Sequence, residues 1–295
     1  MNETLRAAAW MLGAILSFTT MAVAGRAVSL DLDTFEIMMY RSLIGIVLVV
    51  GVAGAAGTLR EVRARKLGLH GVRNLCHFAG QNLWFYAIAM IPLAQVFALE
   101  FTSPLWVMLL SVVILGERLT LNRVLAAAAG FVGILIVTRP SIATIEAGQI
   151  AAALAAVGFA GSAVFTRRLT RTETITSILF WLTVMQAAFG VICAGFDGDI
   201  ALPAAASWPW VVLIACAGLV AHFCLTTALR FAPATVVMPL DFARLPVIAI
   251  VGMAVYGEVL DPFVGLGALV IFGANYANIV VESRRSARAR SVSNT

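Results

Sequence analysis

Apolar residues run through this chain in stretches of about twenty, broken by short polar or charged punctuation, and a helix needs about that length to cross a hydrocarbon core. Ten such spans are expected, at residues 5–25, 35–56, 71–91, 93–115, 121–138, 147–167, 175–196, 208–229, 233–256 and 260–281. Several connections between them are too short to hold a soluble domain. The pattern therefore predicts one compact bundle.

The spans repeat. At one constant, gapless offset the stretch Pro92–Glu117 falls on Pro233–Glu258, with Pro92 on Pro233, Val96 on Val237, Glu100 on Asp241, Phe101 on Phe242 and Gly116-Glu117 on Gly257-Glu258. The same offset pairs Ala14 with Ala155, Phe18 with Phe159, Ala22 with Ala163 and Arg26 with Arg167. An odd number of spans per copy makes the second copy enter the membrane from the opposite side. The expected fold class is thus an all-α integral membrane protein, ten transmembrane helices arranged as two inverted five-helix repeats. Residues 1–140 form the first repeat, 141–282 the second, and 283–295 a basic cytoplasmic tail. Inverted repeats of this kind are the architecture of secondary transporters, which open alternately to the two faces around a midplane site. The first span has its own repeat partner, so it is expected to be a structural span and not a cleaved leader, although Arg6 and Ala22-Val23-Ala24 imitate one.

Composition agrees: 61% of the 295 residues are hydrophobic and only 12% charged, against about 25% charged in soluble domains. The net charge of +5 raises the question of nucleic acid, but the placement of the charges points elsewhere. Sixteen of the twenty Lys and Arg residues fall in segments on one side if the N-terminus is inside, whereas only Arg26 and Arg139 fall on the other. By the positive-inside rule both termini are cytoplasmic, in a cell inner membrane. The Arg-rich stretches 60–73 and 284–290 are most simply that signal, with anionic lipid a secondary partner and no nucleic acid implied. Cys76, Cys193, Cys216 and Cys224 lie in apolar runs without CxxC spacing, and read as reduced core residues.

The paired halves, the basic loop after span two, the PLA segment at Pro92, the LGE turn at Leu115–Glu117 and its YGE counterpart at Tyr256–Glu258 together resemble the drug/metabolite transporter superfamily, and within it the EamA-like ten-span permeases. The resemblance covers nearly the whole chain. It implies a central cavity lined mainly by spans one to four and six to nine, with spans five and ten packed at one side, sometimes against a second protomer. It allows amino acids and their derivatives, S-adenosylmethionine or flavins as substrates, or toxic amphipathic compounds for export.

Ionisable side chains near the bilayer centre cost about 2.5–3.5 kcal/mol on insertion scales, so each one raises a functional question. Arg41 in span two, Glu100 in span four, and Asp241 and Arg244 in span nine make up the set. Asp241 and Arg244 share a helical face, and Arg41 and Glu100 could meet across the cavity. Two readings fit: structural ion pairs, or pairs that exchange partners with a zwitterionic or amphipathic substrate. A buried carboxylate is also a place where a coupling proton could ride. Span three adds a polar stripe of His77, Gln81, Asn82 and Tyr86, span eight adds His222, and Trp84 and Trp106 could wall a planar ligand. Together these eleven residues are the candidate substrate site. Pro104, Pro239 and Pro246 interrupt spans four and nine, giving either static kinks or discontinuous helices that free carbonyls for a site.

No GxxxxGK[ST] phosphate loop, GxSxG or HExxH arrangement occurs, so neither ATP-driven transport by that motif nor an enzyme is expected. No cofactor is implied, and the three histidines lack the spacing of a metal site. Gly130 and Gly133 in span five, and Gly265, Gly267 and Gly273 in span ten, leave small faces suited to close helix contact, including contact within a homodimer.

Overall fold

The computed structural model describes residues 3–115, 121–139, 145–196, 198–232 and 234–293. Gly116, Glu117, Arg118, Asp197 and Pro233 fall outside the described residues. Among the described residues twelve α-helices group into ten spans. Spans one to three are α1 (Glu3–Val28), α2 (Thr34–Ala55) and α3 (Leu67–Met90). Span four is divided into α4 (Leu93–Glu100) and α5 (Ser103–Leu115), and span five is α6 (Leu121–Thr138). Then come α7 (Ala147–Leu169), α8 (Ile175–Ala194) and α9 (Trp208–Phe231). Span nine is divided into α10 (Ala234–Leu240) and α11 (Arg244–Tyr256), and α12 (Pro262–Ser293) is span ten. The last helix continues through most of the stretch expected to be a separate tail.

Local chemistry sets the ends. Asp33 caps α2, its carboxylate accepting the Glu36 N–H at 2.8 Å while Glu36 accepts the Asp33 N–H at 2.9 Å, a reciprocal capping box. Thr174 caps α8 through the Ser177 N–H at 3.2 Å. Gly257 ends α11 in the left-handed region at φ 63°, the conformation that glycine adopts without penalty.

Among the described residues six spans are apolar and long enough to cross a membrane by composition alone, and α3 is not among them despite its 24 residues. The reason is chemical, because α3 carries Arg73, Asn74, His77, Gln81 and Asn82, all buried. These groups avoid lipid by facing into the bundle.

Helix pairing is symmetric under exchange of the halves. Span one packs on span eight and span six on span three, so each pair becomes the other when the repeats swap; span two packs on span seven and span five on span ten, and these pairs map onto themselves. Close approach requires small residues. A Cβ on Gly158 of α7 would stand 2.8 Å from the Gly80 Cα of α3, and one on Gly267 of α12 would stand 2.7 Å from the Gly133 carbonyl oxygen of α6. Spans five and ten thus form a side pair, joined at one end by the Arg139–Asp261 ion pair.

Both divided spans break at the repeated acid. The helix of span four stops at Glu100 and restarts at Ser103, with Thr102 Oγ1 donating to the Leu99 carbonyl at 2.8 Å. Span nine passes through a single 3-10 turn at Asp241–Ala243. Pro104 and Pro246 each sit in the first turn after the break, where a missing N–H is tolerated, so the interruptions are discontinuities and not smooth kinks.

Candidate functional site

At the junction of the halves lies a cavity of about 50 Å³ lined from α1, α3, α4, α7, α9, α10, α11 and the turn at Asp241. Spans two and seven do not line it, which narrows the expected wall. The cavity begins near mid-bundle at Trp84 and Glu100 and extends toward the face that carries the chain termini, reaching Arg73 in the second turn of α3 and Thr166 near the end of α7. Its volume admits a few water molecules at most and falls well below the roughly 300–1,000 Å³ of a small-molecule pocket. A wider groove of about 720 Å³ between α4, α11 and α12 is lined without a charged side chain among the described residues.

One end of the cavity is an ion cluster. The Arg244 guanidinium lies between Glu100 at 2.6 Å and Asp241, and its carbon stands 4.6 Å from the centre of the Phe97 ring and 5.1 Å from that of Phe18. Trp84 Nε1 donates to the second Glu100 oxygen at 2.8 Å. Glu100 is therefore satisfied on both oxygens, whereas Asp241 Oδ1 is buried without a hydrogen-bond partner. The cluster joins the first half to the second. The expected Arg41–Glu100 contact does not form, because α2 packs on α8 and α9 and carries Arg41 away from span four.

The other end is cationic. Arg73, 2% exposed, donates from Nε to Thr166 Oγ1 at 3.0 Å and from Nη1 to Asn74 Oδ1 at 2.8 Å. His77 and His222 meet edge to face with ring centres 4.5 Å apart. Both ring nitrogens of His222, Nε2 of His77 and Nε2 of Gln81 are buried without partners. Gln81 and His222 are themselves repeat mates, so each half brings one unsatisfied side chain to the same place. Arg41 borders a second void of about 10 Å³ that shares His222 with the main cavity.

Seven of the eleven candidates thus line one cavity: His77, Gln81, Trp84, Glu100, His222, Asp241 and Arg244. Arg41 adjoins it. Three stand apart. Asn82 is buried but turned back onto the Phe78 carbonyl of its own helix at 2.8 Å, Tyr86 is 40% exposed on the outer surface, and Trp106 packs into an apolar cluster with Met11 and Val107. Arg73, expected in a basic loop, is instead a wall of the cavity. Its signal is the i, i+4 spacing Arg73–His77–Gln81, which places all three on one stripe once α3 begins at Leu67.

On the face opposite the termini Arg26 ties several span ends together. Its Nε donates to the Ile88 carbonyl at 2.6 Å, another N–H reaches the Ile91 carbonyl, and the guanidinium pairs with Glu258. Glu258, brought back by the Gly257 turn, also accepts the free N–H of Leu93 at the start of α4, at 3.1 Å. Ends of spans one, three, four and nine are tied there by one ion pair.

Sequence comparisons bear on what this cavity serves. The EamA-like transporter family matches the chain twice, over residues 5–139 and 146–279. A riboflavin transporter of Brucella anthropi is 32% identical over 81% of this chain and 85% of its own. An S-adenosylmethionine uptake transporter of Rickettsia bellii is 22% identical over 99% and 100%, and the pseudopaline exporter CntI of Pseudomonas aeruginosa is 27% identical over 88% and 90%. One solved crystal structure shares the fold with a TM-score of 0.69 at 20% identity, covering 94% of this chain and 98% of that one. The protein is a multi-pass membrane transporter for a small molecule and not an enzyme. Ten spans, paired halves and the double match place the chain in the EamA-like transporter family of the drug/metabolite transporter superfamily.

Proposed function

We propose that the protein is a secondary active transporter that carries a zwitterionic or amphipathic small metabolite across the inner membrane by alternating access, with both termini in the cytoplasm. The observation that carries this reading is the cavity between the halves, where charged groups from both repeats meet aromatic walls. The contracted cavity and the Arg26 closure support a resting state shut on the face opposite the termini. Arg167, the repeat mate of Arg26, reaches the Leu229 carbonyl on the termini face, which supports a pair of symmetric closures opened in turn. Substrate would bind among His77, Gln81, Trp84, Glu100, His222, Asp241 and Arg244, and binding would have to widen the site several-fold. Asp241, with its unpartnered oxygen, is the better placed of the two acids to take a coupling proton.

The names of the relatives make riboflavin and S-adenosylmethionine the first cargoes to try, in both directions, since one relative is named as an exporter. The test is counterflow in proteoliposomes: labelled substrate should accumulate transiently when unlabelled substrate is trapped inside. Flux that fails to saturate and shows no counterflow would instead describe a channel.

A further inference from the structure

The buried charges around the cavity do not balance. Three guanidiniums, Arg41, Arg73 and Arg244, face two carboxylates, Glu100 and Asp241. Arg244 takes both acids. Among the described residues neither Arg41 nor Arg73 meets a carboxylate. Arg73 has only the neutral oxygens of Thr166 and Asn74, and Arg41, 6% exposed, has a long contact of 3.7 Å to Met21 Sδ. A buried charge left without a counter-ion is strongly unfavourable, and in a membrane protein such a group normally meets a partner or a ligand.

The groups beside these arginines have the same unmet need. His222 stands between the main cavity and the void that Arg41 borders, with neither ring nitrogen hydrogen-bonded. His77 Nε2 and Gln81 Nε2 are also without partners, and the hydroxyls of Ser162 and Thr226 complete the wall. Gly218 leaves the space for Arg41: a Cβ there would stand 3.4 Å from its Nη2. The assembly offers N–H and O–H donors and two positive charges, with no carboxylate paired to them among the described residues. That chemistry suits an oxyanion, because guanidinium donors match the geometry of carboxylate and phosphate.

We propose that Arg41, Arg73, His77 and His222 form an oxyanion subsite, which seats a carboxylate or phosphate group of the cargo while the Trp84–Glu100–Arg244 end receives the remainder. What delivers the oxyanion rests on the transport reading above; the binding of a small oxyanion does not. The subsite ranks cargoes, favouring a molecule with an ionised acid group over its neutral counterpart.

The test uses the full chain, purified in nanodiscs, with sodium acetate and sodium phosphate as probes and sodium chloride at matched ionic strength as reference. In the parent protein at least one of the two oxyanions should raise the unfolding midpoint by about 2–4 °C over chloride, the size expected of a ligand near ten times its dissociation constant. Arg41→Met and Arg73→Met should each abolish the difference, which also controls for general salt effects. Arg73→Lys should retain part of it. Arg41→Met should not lower the midpoint without probe, since it removes an uncompensated charge. Acetate separates a carboxylate subsite from one that responds to phosphate alone. The subsite is overturned if neither oxyanion exceeds chloride in the parent, or if both Met variants keep the full difference. Counterflow failing while the oxyanion effect persists would sink the transport reading and spare the subsite; the converse result would do the reverse.

Discussion

Arg26 and Arg167, repeat mates, grip equivalent carbonyls on opposite faces: Arg26 donates to Ile88 and Arg167 to Leu229, and these two are repeat mates in their turn. The repeat has therefore preserved a contact as well as a helix order. The second carbonyls differ, Ile91 for Arg26 and Arg230 for Arg167; Glu258 completes the Arg26 cluster, and its repeat mate Glu117 lies outside the described residues.

The Arg26 cluster should govern access from the face opposite the termini. A half-buried ion pair with several charged hydrogen bonds is worth about 1–3 kcal/mol, which corresponds to roughly a 5- to 150-fold change in an open population. In a cysteine-free background carrying Ser162→Cys, Arg26→Gln or Glu258→Gln should speed labelling by an impermeant maleimide from that face by at least about fivefold. Unchanged labelling would count against the closure.

Removal of Arg244 should be far more damaging than removal of either acid. Arg244→Met leaves Glu100 and Asp241 buried together without a cation, a loss of about 3–5 kcal/mol. Asp241→Asn leaves a satisfied Arg244–Glu100 pair and should be milder. Thermal unfolding in detergent orders the variants, and equal midpoints would refute the arrangement.

The proposed proton coupling separates the two acids. Asp241→Asn should abolish accumulation driven by a pH gradient while counterflow persists, because counterflow needs no net proton movement. Glu100→Gln, whose parent carboxylate is satisfied by Arg244 and Trp84, should keep gradient-driven accumulation. If both variants retain it, neither acid carries the proton.

Hydropathy places the ten spans within a few residues, apart from the end of the last helix, which runs on to Ser293, and the repeat offset matches Glu100 with Asp241, since both signals are local or self-referential. Which helices become neighbours is neither. Sequence reasoning therefore sets Arg41 against Glu100, although the packing of α2 takes it to the opposite end of the cavity. Trp106 lies six residues beyond Glu100, already about 120° away on an unbroken helix, and after the break at Phe101–Thr102 it packs into the apolar cluster with Met11 and Val107. Tyr86 and Asn82 share a stripe rotated by one residue, about 100°, from that of His77 and Gln81, and the sequence alone does not say which stripe faces inward. Arg73, two residues into the expected span 71–91, falls among the loop charges because it closes the Arg-rich stretch 60–73, whereas α3 begins a full turn earlier at Leu67.

Gly158 should tolerate no side chain. A Cβ there would press on the Cys76 carbonyl oxygen and the Gly80 Cα, both 2.8 Å away. Gly158→Ala should therefore lower the unfolding midpoint markedly, by roughly the 1–3 kcal/mol typical of overpacking. Gly51→Ala, with nothing within 4 Å, should leave it unchanged or raised by up to about 1 kcal/mol. Similar midpoints for the two would argue against close α3–α7 contact.

The exchange-symmetric pairing also dictates a timetable for synthesis. α1 is made first, yet its partner α9 begins only at Trp208, roughly 10–40 s later at bacterial elongation rates of about 5–20 residues per second. Until α7 arrives, the Arg73–His77–Gln81 stripe of α3 lacks its main packing partner and the Thr166 hydroxyl that Arg73 bonds. The newborn first half must wait at the insertion machinery or bear those groups against lipid, so delayed elongation between the halves should be the step at which this protein is most readily lost to quality-control proteolysis.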